Sequence, residues 1–82
     1  MTGRLVRFEI TAAAEAQTLP RLINYFAQRD LTPSLVRAEV VGAAVMVVIE
    51  QPLLEHGHAA VIAEKMRSSV CVEDVRLTGA AE

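Results

Sequence analysis

The sequence is poor in the features that commonly reinforce a very small domain. It has 82 residues and one cysteine, Cys71, so no disulfide can form within the chain. A domain of this length buries only about 60 to 65% of the surface of its unfolded chain, and it often depends on a disulfide, a metal or a partner subunit. The sequence offers no obvious cluster of metal ligands, so we expect a partner subunit. A lone thiol also fits a reducing, cytoplasmic compartment.

Aromatic residues and clustered positive charge are equally scarce. The chain has no Trp, two Phe and one Tyr, its eight Lys and Arg are scattered, and its formal net charge is −2. A nucleic-acid-binding surface needs a basic stripe that follows the phosphates, and single-stranded ligands also need rings on which bases stack. We therefore expect no nucleic-acid partner.

Long hydrophobic runs are missing as well. The longest apolar run, residues 40–49, contains Gly42 and is far shorter than the roughly 20 residues that cross a bilayer. The first ten residues have no apolar signal-peptide segment. We therefore expect a soluble, cytoplasmic protein with no membrane partner.

Aliphatic side chains are plentiful, and their spacing predicts regular structure. Hydrophobic residues make up 52% of the chain, which argues against disorder. Between Arg4 and Thr11 they alternate, with Val6, Phe8 and Ile10 on one side, and this period of two predicts a first strand.

The segment TLPRLINYFAQRD, residues 18–30, predicts the first helix. Thr18 is the expected N-cap, and Pro20 falls in the first turn, where its missing N–H costs nothing. Asp30 is expected to end the helix in the left-handed conformation that glycine usually takes there. The apolar side chains fall on one helical face: Leu19, Leu22, Ile23 and Phe26.

A hairpin follows the first helix. Residues 34–41 and 44–50 predict two strands that turn at Gly42, and Pro52 is expected to end the second of them. Both strands are apolar on each face, which is typical of strands whose two faces are covered.

A second helix and a last strand complete the chain. The helix is expected to begin between Leu54 and His58. Its inward residues are Ala59, Ile62, Ala63 and Met66. Residues 70–78 predict the last strand, whose alternation changes at residues 73–74, as a bulge or a late start of the strand would cause.

The order β-α-β-β-α-β predicts an α+β, ferredoxin-like fold: a four-stranded antiparallel sheet with two helices on one face. We expect a single domain over residues 1–82, with its core from 4 to 78. The uncovered face and the edge strand would then be available to a partner, either a dimer mate or a different protein. The apolar residues expected on that face are Leu5, Leu35, Val41, Met46 and Val48, with Leu77 a further candidate.

Few residues suggest chemistry. His56 and His58 could share a metal in an extended loop, but no further Cys or acidic cluster completes four ligands, so solvated histidines are favoured. Cys71 lies in an apolar VCV segment and is interpreted as a small buried hydrophobe. Tyr25 flanks the helical stripe and is expected at a rim or interface.

Other polar residues are also assigned non-catalytic roles. Ser68 and Ser69 lack the glycine elbow of a nucleophile, and Glu73 and Asp74 are adjacent, so on a strand they point to opposite faces. The start of the first helix could hold a carboxylate, although a solvated cap is the favoured interpretation. We therefore predict no catalytic residue, no metal site and no cofactor.

The stretch TLPRLINYFAQRDLTPSL resembles the centre of ACT domains, in which a Pro-Gly-x-Leu-x-Arg segment leads into an apolar helix and then into Arg-Gly-aromatic-Asn-Ile. The spacing is most similar to that of the small regulatory subunits of acetolactate synthase, and the order of elements agrees from Arg4 to Thr78. The positions that fit the pattern are Leu19, Arg21, Ile23, Phe26, Gln28 and Arg29.

The resemblance implies a dimer whose sheets pair side by side, an amino-acid effector at the dimer interface, and the large, thiamine-diphosphate-dependent catalytic subunit as a protein partner. The effector would lie between the first strand–helix loop of one chain and the start of the second strand of the other. Carried over by position, the ligand-binding residues are Ala14, Gln17, Thr18 and Leu19 from one chain and Thr32 and Pro33 from the other.

The chain departs from the family pattern within this site. Gln17 replaces a loop glycine, Ala14 and Thr32 replace asparagines, and Asp30 replaces the glycine after Arg29. A glutamine side chain can fill the space that a glycine leaves open, and the polar groups that orient an amino acid are reduced in number. The pocket is then either vestigial or selective for another ligand.

The resemblance therefore implies a non-catalytic, ligand-sensing regulatory module of amino-acid metabolism. The alternatives are a ferredoxin-like protein-interaction module without a small-molecule effector, a metal-handling module at His56 and His58, and a small enzyme. The last of these lacks an identifiable nucleophile, base and stabilising group.

Overall fold

The computed structural model describes residues 4–79. In this part of the chain a single four-stranded antiparallel sheet has the strand order β2-β3-β1-β4, and two helices cover one of its faces. This is the predicted ferredoxin-like βαββαβ fold. The elements are β1 (Arg4–Ala13), α1 (Thr18–Ala27), β2 (Leu35–Val41), β3 (Ala44–Leu54), α2 (His56–Arg67) and β4 (Val72–Thr78).

The core lies between the two helices and the central strands. On β1 the predicted residues Val6, Phe8 and Ile10 are all buried, and the ring of Phe8 meets that of Phe26 edge to face, with centroids 5.1 Å apart. Such an aromatic pair adds about 0.5 to 1.5 kcal/mol to the free energy gained from burying the rings. The four predicted inward residues of α2 are buried as well: Ala59, Ile62, Ala63 and Met66.

The start of α1 differs from the prediction, because Thr18 is the first helical residue and Gln17 is the N-cap. The Thr18 side chain is 1% exposed, and its hydroxyl donates to the carbonyl oxygen of Ala13 at 2.7 Å. The loop is so short that this hydroxyl reaches back to the end of β1. The predicted cap was wrong because spacing alone does not reveal this tertiary bond.

The end of α1 has the predicted left-handed residue, Asp30. Asp30 has φ 59°, and the N–H groups of Asp30 and Leu31 donate to the carbonyls of Ala27 and Phe26, each at 3.0 Å. This pair of bonds is the Schellman arrangement, which satisfies the last carbonyls of a helix. The regular helix itself ends earlier than expected, at Ala27.

Pro52 does not end β3, which continues to Leu54, so that prediction was wrong. β2 pairs with β3 only as far as Glu50. On the other side, the register with β1 shifts after the pair Val6 and Gln51. Pro52 therefore lies at a bulge with no strand on its β2 side, which is where a strand tolerates a missing N–H.

The last strand begins at Val72, two residues later than predicted, and fully exposed Val70 lies outside it. The predicted bulge is confirmed, because the register with β1 shifts between Thr11 and Ala12. Leu77 pairs with buried Phe8 and therefore faces the helices. The prediction that Leu77 is a further candidate for the uncovered face was wrong. The bulge reverses the alternation that this expectation assumed.

Candidate ligand site and exposed edge strand

The first half of the predicted ligand site is the loop between β1 and α1. Ala14 and Gln17 are exposed, Leu19 is half-buried against the core, and the N–H of Ala14 donates to the carbonyl of Ala43 at 2.9 Å. The loop therefore lies beside the β2–β3 turn, at Gly42 and Ala43. This turn holds Gly42 at φ 62°, a conformation that glycine adopts without strain.

Few polar groups of this loop are available to a ligand. The Thr18 hydroxyl is already bonded, the Thr18 N–H donates to the carbonyl of Glu15 at 3.1 Å, and Pro20 has no N–H. The N–H of Arg21 donates to the carbonyl of Gln17, also at 3.1 Å. The remaining donors in the first turn and its cap are the backbone N–H groups of Gln17 and Leu19 and the Gln17 side-chain amide. The carboxylate-binding capacity that helix starts usually have is therefore reduced here.

The second half of the predicted site lies at the opposite end of the sheet. Thr32 is exposed and Pro33 is half-buried in the segment that leads into β2. This segment is held where the Ser34 N–H donates to the carbonyl of Glu50 at 2.8 Å. Ala13 instead pairs with Ala44, at the other end of β3. One chain therefore does not bring the two halves together, and a shared site needs a second chain.

The surface on which a second chain can pack is β2. It is an edge strand, and six of its seven residues are exposed while the seventh is half-buried. Val36 and Val40 pair with residues of β3 that are buried by the helices, yet they are themselves 42% and 66% exposed. The helices thus stop short of β2, which contradicts the expectation that both faces of the hairpin are covered.

The sequence of β2, LVRAEVV, is chemically symmetric about Ala38. Arg37 and Glu39 flank this centre, valines follow on both sides, and the ends are Leu35 and Val41. Sequence reasoning overlooked Arg37 and Glu39 as functional candidates. The signal was present in the strand itself, but it acquires meaning only when the strand order places β2 at an edge.

The face of the sheet away from the helices, here called the helix-free face, is charged with an apolar centre. Met46 is 50% exposed, and the face carries an ion pair of 3.1 Å between Arg76 and Asp74. A shallow groove of about 260 Å³ runs across it. Residues that line this groove on the helix-free face are Glu9, Thr11, Met46, Val48, Asp74 and Arg76.

A second, more open groove of about 530 Å³ lies between the two helices. It is lined by Tyr25, Gln28, Arg29, Lys65 and Ser68. Tyr25 is half-buried at its rim, and its carbonyl accepts a long bond of 3.4 Å from Nη1 of Arg29. The Ser68 hydroxyl donates to the Lys65 carbonyl at 2.7 Å, so part of the polar lining is already engaged.

The other polar candidates remain dispersed. His56 and His58 are exposed in the first turn of α2, and within residues 4–79 no three His, Cys, Asp or Glu side chains come together as metal ligands would. Cys71 is half-buried just before β4, with its sulfur 3.4 Å from the Ser69 hydroxyl, so it is not the buried strand residue that was expected. No helix in this part of the chain is long and apolar enough to cross a membrane.

Comparison with solved structures supports the fold. The crystal structure of the ACT domain from GTP pyrophosphokinase of Chlorobium tepidum has a TM-score of 0.81 at 10% identity, covering 94% of this chain and 100% of that one. The solution structure of the same domain has a TM-score of 0.82 at 12% identity and covers 100% and 93%. The C-terminal domain of the MgtC protein from Mycobacterium tuberculosis has a TM-score of 0.74 at 13% identity and covers 94% and 88%.

No curated protein matches the sequence. A family model does match, and it extends over residues 2–82 under the description ACT-like domain. ACT domains are generally regulatory, ligand-binding modules, typically without catalysis of their own. Together with the strand order and the two helices on one face, this match shows that the chain belongs to the ACT-like domain family.

Proposed function

We propose that this chain is a ligand-sensing regulatory module that acts as a homodimer joined along β2. The observation that carries the proposal is the uncovered edge strand with its symmetric sequence. An exposed edge offers N–H and C=O groups to another strand, and natural proteins usually block such edges with bulges, charges or a covering element. No register shift interrupts β2 along its pairing with β3, and within residues 4–79 neither α1 nor α2 covers it.

The symmetry of β2 defines the pairing. If two copies pair antiparallel about Ala38, Arg37 of each lies opposite Glu39 of the other. On the helix side Val36 lies opposite Val40. Opposite charges and apolar residues that face each other across two strands each contribute roughly 0.2 to 1 kcal/mol. The strand is therefore complementary to a second copy of itself, as an interface with two-fold symmetry requires.

The same pairing would join the two halves of the ligand site. Leu35 of one copy lies opposite Val41 of the other, so the segment with Thr32 and Pro33 approaches the β2–β3 turn of its mate. That turn is bonded to Ala14 in its own chain, since the carbonyl of Ala43 accepts the Ala14 N–H. Two equivalent sites result, one at each end of the paired β2 strands.

The proposed site consists of Ala14, Gln17, Thr18 and Leu19 of one chain and Thr32 and Pro33 of the other. Its free donors are the Gln17 side-chain amide, the Thr32 hydroxyl and the backbone N–H groups of Gln17, Leu19 and Thr32. Such a set fits a small, largely apolar effector, and an amino acid with an aliphatic side chain is the class that we propose. The alternative is an interaction module with no effector, and the reduced number of donors favours it.

Sedimentation equilibrium tests the dimer. Arg37→Glu places like charges opposite each other at two symmetric positions. We expect it to weaken the dimer by about 2 kcal/mol, or roughly 30-fold in Kd. Glu39→Arg should have the same effect. The two single variants mixed together should pair with each other, because the charges are then opposite again.

The matched control is Lys65→Glu on α2, which makes the same charge change on an exposed residue away from the edge. The dimer should be unaffected by it. A wild-type protein that remains monomeric, or single variants that dimerise as tightly as wild type, would overturn the β2 interface.

Thermal unfolding with millimolar valine, leucine, isoleucine or serine tests the effector. A ligand at about one hundred times its Kd adds about 2.7 kcal/mol. In a domain of this size that raises Tm by roughly ten degrees or more. Gln17→Gly should strengthen a positive response by opening the pocket. No shift with any amino acid, in either protein, would leave the module without an amino-acid effector and favour the alternative.

The partner that we propose is the large, thiamine-diphosphate-dependent subunit of acetolactate synthase. The proposal depends on the resemblance of the segment from Thr18 to Leu35 to the small subunits of that enzyme. Copurification of the large subunit with this chain, and a change in its acetolactate-forming rate, is the expected result. A large subunit that neither binds this chain nor changes its rate would rule out this partner.

A further inference from the structure

The register of the whole sheet extends the symmetry of β2 onto the helix-free face. Ala38, Val47, Ile10 and Val75 form one row across the four strands, and all four face the helices. The two rows on either side of this line face away from the helices. The first contains Arg37, Val48, Glu9 and Arg76, and the second contains Glu39, Met46, Thr11 and Asp74.

We propose that the helix-free face binds the same face of a second copy of this chain, which would join two β2-linked dimers into a tetramer. This inference rests on the proposed dimer. The occupant follows from charge complementarity. A two-fold axis along the row of Ala38, between the two sheets, exchanges the two outward rows. Each charge on the edge strands then meets its opposite.

The contacts that this axis creates are complementary on β2, β3 and β4, whereas on β1 Glu9 meets Thr11. Arg76 would meet Asp74 of the second copy at one side of the face, and Arg37 would meet Glu39 at the other. At the centre Val48 meets Met46, which is 50% exposed in the single chain. A two-fold axis parallel to the strands would instead bring Arg37 against Arg76. The charges therefore favour the two-fold axis that runs across the strands, along the row of Ala38.

Charge near the ends of the face does not oppose this contact. Arg7 lies between two carboxylates, with its Nε 3.7 Å from Glu9 and 3.8 Å from Glu50. These three side chains carry a net charge of −1, and the arginine is shared between the two carboxylates within one chain. A second copy therefore meets a face with three arginines and four carboxylates, a net charge of −1, and with Val48 and Met46 at the centre of its groove.

The area explains why we infer a tetramer and not a second kind of dimer. Four strands about 4.8 Å apart, each with four outward residues about 7 Å apart, present about 500 Å². Two such faces bury about 1,000 Å², which is below the usual range of stable interfaces. The eight strands of a β2-linked dimer double this value to about 2,000 Å², which lies within the range of stable complexes.

The two symmetry axes are compatible. The axis of the β2 pairing is perpendicular to the sheet and passes between the Ala38 residues of the two copies. The axis of the face contact runs along the row that contains Ala38. Perpendicular two-fold axes that meet at one point give a closed tetramer, one of the commonest symmetries of soluble oligomers. Aligned sheets pack about 10 Å apart with strands within about 30° of each other, and the proposed contact has this aligned geometry.

Sedimentation equilibrium of the complete chain, over the widest accessible concentration range, tests the inference. We expect a dimer–tetramer equilibrium for wild type. Arg76→Asp places two aspartates opposite each other at every contact and should leave a dimer, as should Asp74→Arg. A mixture of these two variants should recover the tetramer. Arg76 and Asp74 are 75% and 52% exposed, so neither change should unfold the domain.

Met46→Lys provides an independent test at the centre of the face. Half of the Met46 side chain is exposed, so a lysine can extend into solvent in the dimer. In the tetramer its charge would be buried against Val48, so the variant should remain a dimer. Lys65→Asp, which changes the charge on α2 by the same amount as Arg76→Asp, should leave the tetramer unchanged.

The outcomes separate this inference from the proposed function. A wild-type protein that stays dimeric at every concentration would overturn the face contact and leave the β2 dimer intact. A monomer would overturn both. A tetramer that persists in Arg76→Asp and in Met46→Lys would show that the second contact uses another surface, and would overturn the assignment to this face.

Discussion

The two edge strands of the sheet, β2 and β4, have the same length but differ in how far the helices cover them. β4 is covered by α2, buries Val75 to 3% exposure, carries a bulge beside Glu73 and has three charged residues. β2 is covered by neither helix, has two charged residues and shows no register shift. Natural sheets use bulges, charges and covering elements to prevent unwanted pairing. The difference therefore indicates that β4 is the better protected edge, and it agrees with the proposed pairing along β2.

The strongest test of this comparison places lysine on each edge strand. Val75→Lys buries a charge among core side chains without a partner, which costs several kcal/mol, so we expect an unfolded protein. Val40→Lys places the charge on a residue that is already 66% exposed. We expect this variant to be folded and monomeric, as measured by circular dichroism and sedimentation. A folded Val75→Lys protein would contradict the assignment of β4 as the covered edge.

A milder test removes methyl groups from the same two positions. Val75→Ala should lower the free energy of unfolding by about 2 kcal/mol, from lost burial and a residual cavity. Val40→Ala should change the unfolding of the monomer by less than about 0.5 kcal/mol. Urea unfolding at low protein concentration measures both values. Equal losses at the two positions would show that β2 is buried by its own chain.

Amide hydrogen exchange compares the strands without mutation. In the proposed dimer, the N–H groups of β2 that point away from β3 are bonded to the second copy. Their protection should fall when the protein is diluted below the dimer Kd, whereas the protection of β4 should not change. Protection of β2 that is independent of concentration would argue against pairing at this edge.

The smallest expected effect concerns the segment that leads into β2. Asp30 adopts φ 59°, where an aspartate is less favourable than a glycine. Asp30→Gly should therefore raise the free energy of unfolding by about 0.5 to 1 kcal/mol and leave the Kd of the dimer unchanged. A change in dimer affinity would mean that the position of this segment, and not only the outer edge of β2, controls association.

Periodicity was sufficient to predict the order of the elements and most of the core. The inward residues of β1 and α2 follow patterns of two and of three to four, because one face of each element packs against the other layer. The errors fall where a tertiary contact overrides a local rule. Thr18 bonds back to β1, and Pro52 is tolerated because it lies at a bulge with no strand on its β2 side.

The candidate site was less accessible to sequence reasoning than the fold. A family resemblance identifies loop positions, but the separation of Ala14 from Thr32 and Pro33 appears only once the register places them at opposite ends of β3. The symmetry of Arg37 and Glu39 could be read directly from the sequence. Its consequence could not, because an exposed pair of charges gains a partner only when the strand order leaves β2 unpaired on one side.

The same two residues have a consequence for the evolution of duplicated genes. In the proposed pairing, a copy in which positions 37 and 39 exchange their charges would again be complementary to itself. It would repel the original chain, because arginine would then face arginine and glutamate would face glutamate. Two substitutions would thus separate a duplicate from its parent as an independent homodimer, without a change to the core or the fold. In the proposed pairing, very few mutations in β2 would therefore be enough to keep two duplicated chains in one cell from forming mixed dimers.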